Sequence, residues 1–339
     1  MREPPRASSL GLECGQGPAT RRSPPSTNPA VRYYVCLPLD LAAKNSLNLV
    51  ARLGSRVSDP VLSIRSVRSR GFVALDLETV PDASLVSAVD GEPGRPYAEQ
   101  VRRLVDERRA RSGGRSDFLP LPYHRPIAAC TLEAEEVDGT VRVVDASCWT
   151  DRSDDETAFL ARTWQRLAGR TLVTFHGRGF DLPVLELRSL KMGIPAPRWF
   201  REAREEGSQG HLDLLDLLSN GRAAPAATLD LYAKLVGLPG KEEVAGRDVQ
   251  ALYASAALDT VAAYCMTDVV QTWLLFLRYR LVEGTLTPEG YEASARSVRE
   301  ELPALFARRF SAAARRILDG WLDRCALFRG SEDALRQAR

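Results

Sequence analysis

Gly71-Phe72-Val73-Ala74-Leu75-Asp76-Leu77-Glu78-Thr79 opens on an unbroken apolar run and closes on two carboxylates two positions apart. A run of this kind is what a central strand, buried on both faces, looks like in sequence. Side chains along a strand alternate between faces, so Asp76 and Glu78 leave the backbone on the same side. Two like charges at the end of a buried strand repel each other and resist desolvation unless a cation lies between them. A solvated strand end followed by a helix-capping acid gives the same letters, so the pair alone does not fix the chemistry.

Upstream, residues 1–70 carry eleven Lys and Arg against four acids, a surplus of +7; with +2 for the whole chain, residues 71–339 stand at −5. The first thirty residues are crowded with Pro, Ser, Gly and Arg and show no period, as in a disordered basic tail or an organelle transit peptide. A short helix is expected at 39–53. An acidic body does not advertise a broad phosphate-binding face, so nucleic-acid binding there must rely on local arginines and bound cations.

Downstream of Pro81 comes a polar surface excursion with an Arg-rich helix from Tyr97 to Arg111. Its Arg102, Arg103, Arg108, Arg109 and Arg111 read as a solvated helix face rather than a phosphate track. Strands at 127–132 and 141–149, joined by Asp138-Gly139, predict a hairpin. A helix from the acids at 154–156 to Leu167, a strand at 171–175 and a helix at 181–192 follow. Then come a short strand and helix at 211–218, a helix near 229–236, and a long helix at 258–279. Strands first and helices later predict a three-layer α/β fold. Beyond 284 the chain reads as helix divided by Pro288 and Pro303.

At 339 residues and 44% hydrophobic composition the chain can bury a substantial core. No stretch approaches about eighteen consecutive apolar residues, and the N-terminus lacks a secretory apolar core. The cytoplasm is the expected compartment, with no membrane partner. The six cysteines are scattered without a C-x-x-C pair, which argues against a zinc ribbon or a disulfide framework.

Two further carboxylates stand out. Asp181 starts a helix after the turn His176-Gly177-Arg178-Gly179-Phe180, where an N-terminal acid is common for local reasons alone. Asp268 sits four residues after Tyr264 within the long helix, so the two share a face. A mid-helix Asp has poor helix propensity and no cap to make.

In this order, D-x-E, F-D and Y-x-x-x-D resemble the three exonuclease motifs of the tyrosine-containing branch of the DEDD superfamily. The closest resemblance is to the predicted 3'-5' exonucleases related to the proofreading domain of B-family DNA polymerases. It rests on Leu75 to Thr79, Gly177 to Pro183 and Tyr264 to Val269, with lesser matches at His211 to Leu214, Gly237 to Lys241 and Leu275 to Tyr279. The resemblance implies a ribonuclease H-like mixed sheet flanked by helices over 71–283; the disordered or weakly ordered basic tail at 1–70 and the helical C-terminal extension at 284–339 are read from composition and pattern and fall outside it. It implies 3'-5' phosphodiester hydrolysis with Asp76, Glu78, Asp181 and Asp268 holding two Mg2+ ions, which Mn2+ can replace. Tyr264 would orient the attacking water, and Thr79, His176, Arg178 and Phe180 would touch substrate. The substrate implied is a nucleic acid with a free 3' end, single-stranded DNA favoured. His176 departs from the pattern, since the family commonly carries Asn there; a neutral imidazole can still donate a hydrogen bond.

Two rivals stand beside this. A haloacid dehalogenase-like phosphatase would use Asp76 as a covalent nucleophile, but its motif wants Asp at position 78 and a late pair of acids that is missing. A catalytically impaired ribonuclease H-like module that binds nucleic acid in a repair or replication complex is the alternative without catalysis. Gly237 to Lys241 lacks the spacing and the Ser or Thr of a P-loop.

Overall fold

The computed structural model describes residues 70–151, 155–205, 208, 210–240 and 248–328. The expected basic tail with its helix at 39–53, Lys241, and residues 329–339 lie outside them. The strands are β1 (Arg70–Pro81), β2 (His124–Val137), β3 (Thr140–Thr150), β4 (Thr171–Thr174) and β5 (His211–Asp213). Between and after them run α1 (Ala83–Asp90), α2 (Tyr97–Arg111), α3 (Glu156–Leu167), α4 (Asp181–Met192), α5 (Pro197–Glu202) and α6 (Leu214–Leu218). The C-terminal half adds α7 (Leu229–Leu235), α8 (Val249–Ala254), α9 (Leu258–Glu283), α10 (Pro288–Arg309) and α11 (Ala312–Arg324).

The strands form one sheet in the order β3-β2-β1-β4-β5. β2 runs against β1 and β3, while β1, β4 and β5 are parallel. This is the ribonuclease H-like mixed sheet flanked by helices. The hairpin turn sits at Asp138-Gly139, whose φ values of 51° and 75° are the positive pair that a tight two-residue turn demands.

β1 is buried on both faces, as its apolar run predicts. Phe72 and Ala74 join one cluster with Trp273 and Phe276 of α9. Val73, Leu75 and Leu77 join another with Leu160 and Trp164 of α3 and Leu185 of α4. Helix α9 is buried nearly all round, as a helix apolar on every side must be. Although the chain has no unbroken apolar run of membrane-spanning length, an eighteen-residue window of α9 has a mean hydropathy of 1.3, so the helix could cross a bilayer by length and composition. It lies instead in the protein core, with 94% of that window buried.

Helix α10 continues through Pro303, contrary to the expected division there. A mid-helix proline costs about 3 kcal/mol. Val298, Leu302, Leu305 and Phe306, all buried in the same cluster as Phe72, outweigh it. The helix lies against β3: Ser294 Oγ accepts from the Val141 amide at 2.8 Å and Ser297 Oγ from the Val143 amide at 3.1 Å. The approach is close enough to require glycine at 290, where a Cβ would lie 2.4 Å from the Gly139 carbonyl oxygen. Helices α1, α5 and α8 were not foreseen. Asp82 caps α1 by accepting from the Ser84 amide.

Candidate metal centre and substrate cleft

Alternation along β1 sends Phe72 and Ala74 toward α9, and Asp76 and Glu78 follow in the same phase. Helix α9 meets them with Asp268. One ligand oxygen from each of Asp76, Glu78 and Asp268 lies within 4.8 Å of the others. Two thiols seat the helix on the strands: Cys265 donates to the Asp76 carbonyl at 3.2 Å and Cys130 to the Ala262 carbonyl at 3.5 Å. Gln271 Nε2 donates to Asp268 Oδ1 at 3.1 Å and fixes that carboxylate. The β1–β2 register slips between Glu78 and Thr79, an irregularity of the kind that re-aims side chains beside sites. Tyr264 is 6% exposed and packs with Val80, Ile127 and Val261, one helical turn before Asp268.

Asp181 stands beside this trio rather than within it. Its Oδ1 accepts the amide of Leu77, the residue between Asp76 and Glu78, at 3.0 Å. Burial pushes the Asp181 carboxyl up to about 7; the Leu77 amide opposes the rise, while Asp213 and Asp268 add to it. Negative charge concentrated this way is relieved by a cation. The donors are all hard carboxylate oxygens, which suit Mg2+ or Mn2+ better than softer metals. Asp76, Glu78 and Asp268 therefore fit a divalent ion.

A pH dependence follows from Asp181. Because the folded, ion-free protein holds this proton more tightly than the unfolded chain, its contribution to stability is complete below about pH 3.9 and lost as pH rises through about 7. Excess magnesium is expected to raise the thermal midpoint more at about pH 8 than at about pH 6, since it no longer competes with the proton. Equal increments at both pH values would contradict this.

The turn between β4 and α4 is braced by Asp213, which accepts from the amides of His176 (2.8 Å), Arg178 (2.8 Å) and Leu215 (3.0 Å). His176 has φ 66°, and His, like the Asn expected at this position, tolerates the left-handed region better than most residues. A Cβ at Gly179 would lie 2.2 Å from the His176 ring, so glycine there makes room for it. Arg222 Nη2 approaches His176 Nδ1 at 2.8 Å. A guanidinium only donates, so Nδ1 accepts and the proton sits on Nε2. Burial, then the Arg222 charge, lowers the His176 pKa and keeps the ring neutral.

Asp76, Asp268, Phe175 and His176 line one cleft of about 580 Å³ with Leu215 and the start of α7. Arg178 does not line it, because its guanidinium turns to Asp216 and the Arg204 carbonyl. Thr79 and Phe180 gather elsewhere, around a histidine that no motif indicated. Thr79 Oγ1 lies 2.9 Å from His124 Nδ1, and Phe118, half exposed, stacks on the His124 ring at 4.7 Å. Phe180 meets both rings edge-on, at 5.7 Å from Phe118 and 5.2 Å from His124. This aromatic group adjoins Glu78 and Asp181 in sequence on two sides. On α2, Arg103 pairs with the buried Asp90, while Arg109 and Arg111 pair with Asp117 and Glu107 at the surface.

Residues 116–315 match the family described as predicted 3'-5' exonucleases related to the exonuclease domain of PolB. The matched stretch holds Asp181, Tyr264 and Asp268, and begins after Asp76 and Glu78. No curated protein matches. Among solved structures, the family B DNA polymerase from the hyperthermophilic archaeon Pyrobaculum calidifontis is similar, at 15% identity and a TM-score of 0.41. That similarity covers 70% of this chain and 29% of the polymerase, so the chain spans under a third of that protein's length. The family match covers more than half of the sequence, and the chain belongs to the predicted 3'-5' exonucleases related to the exonuclease domain of PolB.

Proposed function

We propose that this chain removes nucleotides from the 3' end of nucleic acid, single-stranded DNA favoured, with two magnesium ions that manganese can replace. The observation that carries the proposal is the meeting of Asp76 and Glu78 from β1 with Asp268 from α9. Divalent ions bound by these carboxylates would supply an activated water and would neutralise the attacking and leaving oxygens of an in-line displacement at phosphorus. Asp76, Glu78 and Asp268 would hold the ions, with Asp181 supporting them from beside β1 through the Leu77 amide. Tyr264, on the face of α9 that carries Asp268, orients the water. His176 offers its Nε2 proton to a phosphate oxygen, and Phe118, His124 and Phe180 give flat faces against which terminal bases stack.

The deciding measurement is product release from 3'-end-labelled and 5'-end-labelled DNA and RNA, with and without magnesium. Stepwise shortening from the 3' end only in the presence of the ion is expected. Binding without cleavage would favour the impaired binding module instead. Tyr264→Phe is expected to slow turnover by about a hundredfold, the size of effect that follows from a misplaced reacting group, and to keep KM. A variant as inactive as one lacking a carboxylate, or fully active, would remove Tyr264 from this role.

A further inference from the structure

At the outer edge of the sheet, beyond the stretch of β3 covered by α10, a groove of about 760 Å³ is lined by Arg162, Arg166, Arg170, Arg308 and Arg309 over Ser147, Cys148 and Trp149. Two carboxylates organise three of these guanidinium groups. Glu133 holds Arg166 at 2.8 Å and Arg170 at 2.9 Å, and Asp145 holds Arg166 at 3.1 Å and Arg309 at 3.1 Å. Arg162 is exposed, and no carboxylate among the described residues pairs with it or with Arg308. Five positive charges against two negative ones leave a local +3 in a body whose net charge is −5. A surplus concentrated against the sign of its surroundings is an electrostatic footprint for a polyanion.

We propose that this groove binds the phosphodiester backbone of nucleic acid at a place separate from the carboxylate cleft, on the reading that the chain acts on nucleic acid. The residues favour backbone over bases. The lining is guanidinium, the preferred group for phosphate oxygens, and the lining aromatic Trp149 is 7% exposed with its Nε1 donating to Thr163 Oγ1, so it offers no stacking face. The arginines come from α3, from the start of β4 and from the end of α10, so they line the groove from several sides, as a strand of repeating charge requires. Glu133 and Asp145 act as positioning residues by fixing guanidinium groups before any phosphate arrives. Register places Cys148 of the groove opposite Cys130, itself opposite Asp76, so two strand spacings, about 10 Å, separate the backbones of groove and carboxylate strand.

The test is the affinity of the full chain, in calcium to prevent turnover, for fluorescent single-stranded DNA of about thirty nucleotides as salt is varied. Arg162→Glu with Arg308→Glu is expected to weaken binding on the order of tenfold and to lower the logarithmic salt slope by about 1.4, two contacts at about 0.7 each. Arg162→Ala with Arg308→Ala should act in the same direction but less. Magnesium-dependent cleavage of a trinucleotide, too short to occupy both places, should not change. Unchanged affinity, an equal loss on the trinucleotide, or equal competition by polyglutamate would overturn the proposal. A wild-type protein that binds through these arginines but releases no nucleotide leaves the groove standing and removes the exonuclease reading. One that cleaves but binds alike with and without them does the reverse.

Discussion

Asp76→Asn is expected to cut hydrolysis by about a thousandfold or more and to leave the ion-free protein at least as stable as the parent. The amide keeps the shape of the carboxylate, but the charge shared with Glu78 and Asp268 is gone. A metal clamp supplies several kcal/mol of transition-state stabilisation, and each 1.36 kcal/mol is tenfold in rate, so losing about 4 kcal/mol gives this magnitude. Stability moves the other way, because one of three mutually repelling charges has been removed from a site where one ligand oxygen of each lies within 4.8 Å of the others. Two readouts check this together: initial rates on end-labelled DNA, and the rise of the thermal midpoint on adding magnesium, which should shrink or disappear. Activity within tenfold of the parent would mean that the carboxylate cluster is not the reaction centre.

Arg188→Ala is expected to be the most damaging single change to the fold. Arg188, with a side chain 3% exposed, donates through Nε and Nη2 to Glu156 and through Nη1 to Asp82, each at 2.5 or 2.6 Å. It ties α4 to the start of α3 and to the cap of α1. Removing it leaves two buried carboxylates with less countercharge, a change that costs about 3–5 kcal/mol and lowers the midpoint by roughly 10 °C in a domain of this size. Burial alone would raise the Asp82 carboxyl, but hydrogen bonds from Arg188, Lys191 and Ser84 outweigh it and hold it well below the usual carboxylate range. A depressed folded pKa contributes stability that is complete above about pH 4 and is lost as pH falls further. The alanine variant should therefore lose less than the parent on acidification. Denaturant unfolding at neutral and acid pH measures both effects, and a loss under about 1 kcal/mol would show that water replaces the guanidinium without strain.

What the sequence disclosed depended on how local each determinant is. The apolar run at 72–75, the Asp138-Gly139 turn and the spacing of Tyr264 and Asp268 are local, and the corresponding strand, hairpin and helix stand where they were expected. β1 runs on to Pro81 because the ladder with β2 continues past the register slip, and pairing of that kind is set by the partner strand. Pro303 misled because its local cost is overridden by apolar contacts made far away in sequence. The stack of Phe118, His124 and Phe180 draws on three segments, and the arginine groove on five, so neither leaves a pattern in any one window. Asp213 was visible as part of a motif, but its task of gripping three amides becomes visible only with the turn it braces.

The two serines of α10 have a wider consequence. They occupy amide donors on the outer strand that would otherwise be free to recruit a further strand. The C-terminal helices thus act as a sheath against self-association. A fragment trimmed at Glu283 would keep every carboxylate of the metal centre and yet expose a sticky rim along which second copies could zip.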